Sequence, residues 1–259
     1  MVMKSVQTAP SSELGAVHVG SDRMLARSSG KASPSRAPRV IFDVDGTLVD
    51  TNNAHARAWF DAFKAAGREV AFPRIRPLIG MGGDKLLRVL ADLDHESPEG
   101  RAISGTRRRR FLDHYLVDCL PMRGARALLK TLTSDGVHCL VATSAEAAEL
   151  NPILRHAGIE DLLHGGATSG DASRSKPDPD IVVAALRNGD VAPEHAVMIG
   201  DTPYDIAAAR AAGVAVIGLR CGGWADDCLG GATAVFDDPA DLLLAYAAAP
   251  QLLIPQHGT

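Results

Sequence analysis

Val40-Ile41-Phe42-Asp43-Val44-Asp45-Gly46-Thr47-Leu48-Val49-Asp50 is the stretch on which the reading of this chain turns. Three apolar residues run into two carboxylates two positions apart, and a Gly and a Thr follow at once. A short apolar run closed by turn residues reads as a buried strand whose carboxyl end opens into a loop. In open α/β sheets ligands bind outside the carboxyl ends of the strands, which places Asp43 and Asp45 where chemistry is usually found. If strand geometry persists through Asp45, both side chains share one face. Two neighbouring carboxylates repel unless one is protonated or a cation lies between them. A hard cation such as Mg²⁺ takes oxygen ligands and keeps waters, and a carboxylate beside it can attack phosphorus. The plain alternative is a strand that simply ends in an Asp-Gly-Thr turn.

Outward from this stretch, β-like and helical segments alternate. Val137 to Ala142, Leu162 to Thr168, Ala196 to Ile199, Val214 to Leu219 and Ala234 to Phe236 read as strands. Helices read over Ala145 to Ala157, from Pro179 to Asn188 with Asp178 as cap, from Pro203 to Ala212 with Thr202 as cap, and from Asp238 to Ala249. Alternation of this kind predicts an α/β fold with a doubly wound parallel sheet. Residues 53–119 break the pattern: only helical spacing is seen there, so they read as an all-helical cap inserted into a core of residues 39–52 and 120–249. Within the insert, Asp94 to Gly105 reads as a polar connection and Arg107 to Leu120 as a helix. Residues 1–38, rich in Ser, Ala, Gly and Pro, read as a disordered extension, and residues 250–259 as a loose tail.

Composition narrows the function. The chain has 259 residues, 46% of them hydrophobic, enough for a sizeable core. A net charge of -4 and 4% aromatics argue against nucleic-acid binding. No apolar run is long enough to span a membrane. Cys119, Cys139, Cys221 and Cys228 do not make a disulfide framework and read as reduced thiols of a cytoplasmic protein. The run Arg107 to Arg110 reads as a solvated helix face with Phe111 turned inward.

The groups able to do chemistry cluster at strand ends. Asp43 and Asp45 follow the first strand, Thr143 and Ser144 the second, and Asp201 the Val197-Met198-Ile199 strand, with Asp205 four residues on. Lys176 precedes the Pro179 helix. Taken singly, Thr143 reads equally as a helix cap, Lys176 as a surface lysine, and Asp201 and Asp205 as charges at a helix start. Together at one sheet edge they suit a cation plus a phosphate.

Asp43-Val44-Asp45-Gly46-Thr47, Leu140-Val141-Ala142-Thr143, Lys176-Pro177 and Gly200-Asp201-Thr202-Pro203-Tyr204-Asp205 resemble, in order, the four motifs of the haloacid dehalogenase superfamily. The resemblance covers roughly Arg39 to Leu244 and implies a phosphatase that requires Mg²⁺. It implies that Asp43 attacks phosphorus and that Asp45 acts as acid and then base. It further implies that Thr143, Ser144 and Lys176 hold the phosphate. Asp43, the backbone carbonyl of Asp45, and Asp201 would hold Mg²⁺, with Asp205 orienting a ligand from behind. The second Asp also argues for phosphoryl transfer over carbon–halogen cleavage.

The position of the insert resembles the helical cap of the phosphoglycolate phosphatase and β-phosphoglucomutase branch, whose caps carry substrate recognition. Gly82, Gly83, Asp84 and Lys85 are the candidates here, with a helix-start loop as the alternative. The phosphoglucomutases carry an Arg near the place of Gly83, and its absence here speaks against mutase activity. The implied partner is a small phosphorylated metabolite such as phosphoglycolate or a sugar phosphate, acted on by a monomer or weak homodimer. A phosphosugar mutase and a non-catalytic phosphate-binding regulator are the alternatives.

Overall fold

The computed structural model describes residues 38–253. The expected disordered extension, Pro38 apart, lies outside the described residues, as do positions 254–259.

Six strands form one parallel sheet: β1 (Arg39–Phe42), β2 (His138–Ala142), β3 (Gly166–Ala167), β4 (Ala196–Gly200), β5 (Ala215–Leu219) and β6 (Ala234–Phe236). Their order is β3-β2-β1-β4-β5-β6. The period of two within each strand builds two cores. Val40 and Phe42 of β1, Cys139 and Val141 of β2, and Val197 and Ile199 of β4 point to one side. Ile41, Leu140, Ala142, Ala196 and Met198 point to the other. Helices α5 (Ala125–Ser134), α6 (Ala147–His156) and α9 (Pro239–Ala248) cover the first face through Leu128, Ile153, Leu242 and Tyr246. Helices α7 (Asp180–Asn188) and α8 (Pro203–Ala211) cover the second through Ile181, Val182 and Ile206. With both faces covered, the strands can be apolar throughout, and all four residues of β1 are buried. Truncating Phe42 to Ala would cost about 3–5 kcal/mol.

Between β1 and β2 every element is helical. The insert holds α1 (Asn52–Ala65), the short α2 (Phe72–Ile75), α3 (Gly83–Ala91) and α4 (Pro98–Arg110), followed by a wider turn over Phe111–Tyr115. It has a core of its own, in which Trp59, Phe63, Ile75, Leu86, Leu87 and Ile103 meet. No helix among the described residues is long and apolar enough to cross a membrane.

Three local expectations are corrected. Helix α4 begins at Pro98, inside the stretch read as a polar connection, because Ser97 caps it by accepting from the Gly100 amide at 3.0 Å. Ile103 is the apolar residue it buries, too little to leave a periodic signal. Asp178 is not the cap of α7; its carboxylate takes the ammonium of Lys85 instead. The tail does not begin at residue 250: Pro250–Leu252 forms a last turn, and Leu253 packs fully buried on the first core.

Candidate functional site

Register brings three of the four motifs to one edge. Phe42 lies beside Val141 of β2 and Ile199 of β4, and the amide of Asp43 donates to the Ile199 carbonyl at 2.9 Å. The residues that follow these three strands therefore emerge side by side. The strand geometry does not persist to Asp45, and the two carboxylates take different partners.

Asp43 is buried, and its Oδ1 accepts from Lys176 Nζ at 2.7 Å. The same ammonium lies 2.7 Å from Asp205 Oδ1. Burial lowers the pKa of Lys176, but Asp205 and Asp43 outweigh it and hold it above the ordinary value. Asp43 is pushed well above the usual carboxylate range, first by burial and then by Asp205, against the pull of Lys176.

Asp201 is fully buried. Thr47 Oγ1 donates to its Oδ1 at 2.8 Å and Asn52 Nδ2 to its Oδ2 at 2.9 Å. Burial, with Asp205 beside it, raises its pKa to about 7 in spite of these donors. Gly222 is required here: a Cβ on it would stand 1.7 Å from Asp201 Oδ2. Asp205 also closes the first turn of α8, where Thr202 Oγ1 donates to its Oδ2 at 2.7 Å and the Asp205 amide donates back to Thr202 Oγ1 at 3.1 Å. The sequence reading of Asp205 as a helix-start charge and its reading as a site residue thus describe one side chain.

Asp43, Asp201 and Asp205 offer carboxylate oxygens within 4.8 Å of one another. Three buried carboxylates face a single ammonium, and the surplus negative charge with an all-oxygen donor set fits a hard divalent cation. The Asp45 side chain is not part of this group. Its Oδ1 accepts from Thr51 Oγ1 at 2.6 Å and lies 2.9 Å from His55 Nε2. Burial raises the Asp45 pKa, but the charge and hydrogen bond of His55, with Thr51, bring it below its ordinary value.

Thr143 is fully buried, and its Oγ1 accepts from the Ala145 amide at 3.1 Å, so its own proton is left to donate. Ser144 Oγ is buried without a protein partner.

A cavity of about 50 Å³ lies over Asp43 and Asp45, walled by His55, Trp59, Ile79, Leu86, Arg107, Ser144 and Glu149 among others. Of the candidates in the insert, Gly83 lines this cavity, and Gly82 and Asp84 line the wider groove outside it. Lys85 lines neither; its Nζ donates to the Ser175 carbonyl at 2.7 Å and to Asp178 Oδ2 at 2.5 Å, tying the insert to the core. Arg107 corrects the reading of a solvated arginine face. Its side chain is 17% exposed, pairs with the buried Glu149, and lies 5.2 Å from the centre of the Trp59 ring. Phe111 does turn inward, and stacks on His55 at 3.9 Å. Sequence reasoning quoted Thr47 in the first motif without giving it a role, and passed over Thr51, Asn52, His55 and Glu149. The first four sit within ten residues of Asp45, which is the one signal that could have marked them.

Residues 40–219 match the family model described as haloacid dehalogenase-like hydrolase. A phosphoglycolate phosphatase of Rhodospirillum rubrum is 33% identical over 78% of this chain and 88% of its own. An N-acetylmuramic acid 6-phosphate phosphatase of Pseudomonas aeruginosa is 29% identical over 72% and 83%. Among solved structures, a hydrolase from Pseudomonas syringae superposes with a TM-score of 0.76 at 28% identity, over 82% of this chain and 99% of that one. With the four motif loops at one sheet edge and the family model spanning most of the chain, the protein belongs to the haloacid dehalogenase-like hydrolase family, as one of its phosphatases.

Proposed function

We propose that this phosphatase is Mg²⁺-dependent and hydrolyses a small phosphorylated metabolite, of the phosphoglycolate or sugar phosphate type, through an aspartyl-phosphate on Asp43. The observation that carries the reading is the shared ammonium of Lys176, 2.7 Å from both Asp43 and Asp205, beneath the cavity floor. Asp43, Asp201 and the backbone carbonyl of Asp45 would hold the cation, with Asp205 behind them. When bound, the cation neutralises the carboxylates and the phosphoryl oxygens as they approach.

The chain's own groups supply the rest. An oxygen of Asp43 attacks phosphorus as the bond from phosphorus to the leaving oxygen breaks. Asp45, once it has taken up a proton from solvent against the pull of His55 and Thr51, gives that proton to the leaving oxygen, and the alcohol departs. Asp45, now ionised, takes a proton from water, whose oxygen attacks phosphorus and frees the Asp43 carboxylate with inorganic phosphate. The contacts of Asp45 with His55 and Thr51 favour the ionised form, the one needed for the second step. Thr143 and Ser144 donate to phosphoryl oxygens, and Lys176 balances charge on Asp43 and on the phosphate. Phosphoryl transfer asks chiefly for positioning and charge stabilisation, and this set offers both.

Phosphate release should be measured over a broad panel of phosphate monoesters, with Mg²⁺ and with a chelator. Turnover should need Mg²⁺ and vanish in Asp43→Asn, which should keep the wild-type circular dichroism. No phosphate from any ester in the presence of Mg²⁺ would refute the reading.

A further inference from the structure

The inner cavity is small. Its space of about 50 Å³ lies directly over Asp43 and Asp45, where the phosphoryl group would sit. The leaving group would extend from there toward the opening of the cavity. Trp59, Gly83, Arg107 and Ser144 line both this cavity and an outer groove of about 740 Å³ between the insert and the core. They form the rim that the substrate crosses.

The charge of that groove is balanced. Its arginines are Arg101, Arg107 and Arg108, and its carboxylates are Asp84, Glu96 and Glu146. Arg108 pairs with Glu146, and Arg101 lies 3.5 Å from Glu96. Both of these pairs are exposed and weak. At the rim the match is tighter, because Arg107 is held by Glu149, whose side chain is 1% exposed. A second phosphate or a carboxylate would require an unmatched cation there, since removing an anion from water is costly without one. None of the groove's arginines is unmatched.

What the rim does offer suits hydroxyl groups. The Nε proton of Arg107 is buried and has no protein acceptor, although the guanidinium is already anchored through Nη1 to Glu149. A buried donor without a partner is rare enough to need a reason. Donor and acceptor side by side on one ion pair match a hydroxyl, which both accepts and donates. The Trp59 ring beside them gives an apolar wall.

We infer that the substrate's leaving group is uncharged and hydroxyl-bearing, of the monophosphorylated sugar or polyol class, and is held at the rim by Arg107 and Glu149. This rests on the reading of Asp43 as the group that receives the phosphoryl. It selects against phosphoglycolate and against bisphosphates, although relatives of this chain are named for the former.

The test compares kcat/KM for hexose 6-phosphates and glycerol 3-phosphate with 2-phosphoglycolate and a hexose 1,6-bisphosphate. Wild type should prefer the best ester of an uncharged alcohol, a neutral ester in that sense only, by about tenfold or more. Glu149→Gln leaves the charge of Arg107 unmatched, so the preference should shift by about tenfold toward the substrates whose leaving group carries a second anion. Taking the ratio of two substrates cancels any general loss of activity, and the wild-type comparison stands alone should the variant not fold. Binding of the same compounds to the Asp43→Asn protein with Mg²⁺, by calorimetry, separates the two readings. Preferential binding of neutral esters without turnover in wild type would sink the phosphatase mechanism and keep the rim. Equal or better use and binding of phosphoglycolate or the bisphosphate would overturn the rim.

Discussion

Lys176 Nζ stands 2.7 Å from Asp43 Oδ1 and 2.7 Å from Asp205 Oδ1, with 1% of its side chain exposed. One buried ammonium thus balances a nucleophile and a helix-start carboxylate from different strand ends. Lys176→Met would leave both carboxylates buried without it. The expected cost is about 3–5 kcal/mol of stability, read by chemical denaturation, together with a loss of turnover of about a hundredfold or more. Mg²⁺ should restore part of the stability and little of the turnover, because the ion replaces charge but not the contact at the phosphate.

Asp201 supplies a dependence on pH. Burial holds its carboxyl up at about 7, above the value of an unfolded Asp. The folded protein therefore binds more protons than the unfolded chain between the two values, and stability falls as pH rises through that window. Without Mg²⁺ the melting temperature should decline from about pH 4 to about pH 7. Saturating Mg²⁺ should flatten or reverse the slope, since an ion that binds only the folded, ionised site opposes the loss. Identical slopes with and without Mg²⁺ would contradict the assignment of this carboxylate to the metal.

Gly222 tests the same carboxylate by shape. An added Cβ would lie 1.7 Å from Asp201 Oδ2, whereas at Gly170 the nearest atom would be Thr168 Oγ1 at 3.9 Å. Gly222→Ala should raise the Mg²⁺ concentration needed for half-activation by about tenfold to a hundredfold. Gly170→Ala should leave it where it is.

Lys85 and Asp178 form a tie between insert and core, at 27% and 31% exposure. A pair this open contributes about 1 kcal/mol or less. Lys85→Met and Asp178→Asn should each raise KM by a similar small factor, and the double variant should be no worse than either. If Lys85 gripped the substrate, its variant alone would show the larger effect, and the cycle would be additive.

Much of this molecule was legible because its signals are local. The apolar runs at Val40, Cys139 and Val197 gave the strands and hence the sheet edge, and each motif residue sat next to one of them. Thr202 and Pro203 gave the start of α8 by cap chemistry alone. What escaped was set by distance in sequence. Glu149 and Arg107 lie 42 residues apart, and neither carries a sign that the other awaits it. Arg107 sits in a run of four arginines, where composition speaks for solvent, and its burial follows from Glu149 of α6 and Trp59 of α1 meeting its side chain. The tie of Lys85 escaped for the same reason, since its partner Asp178 lies 93 residues further along the chain. The brevity of β3, two residues at the sheet's end, was also out of reach, because Leu162 and Leu163 are apolar without being strand.

The double duty of Asp205 has a practical side. One of its oxygens begins a helix and the other faces the lysine under the nucleophile, so a damaged side chain there injures architecture and reactivity in one stroke. A search for well-folded but inert variants will find Asp43 readily and will undervalue Asp205, whose variants lose a helix cap, at about 0.5–2 kcal/mol, together with the contact to Lys176. The residue closest to the chemistry from below is the one that such screening is least able to see.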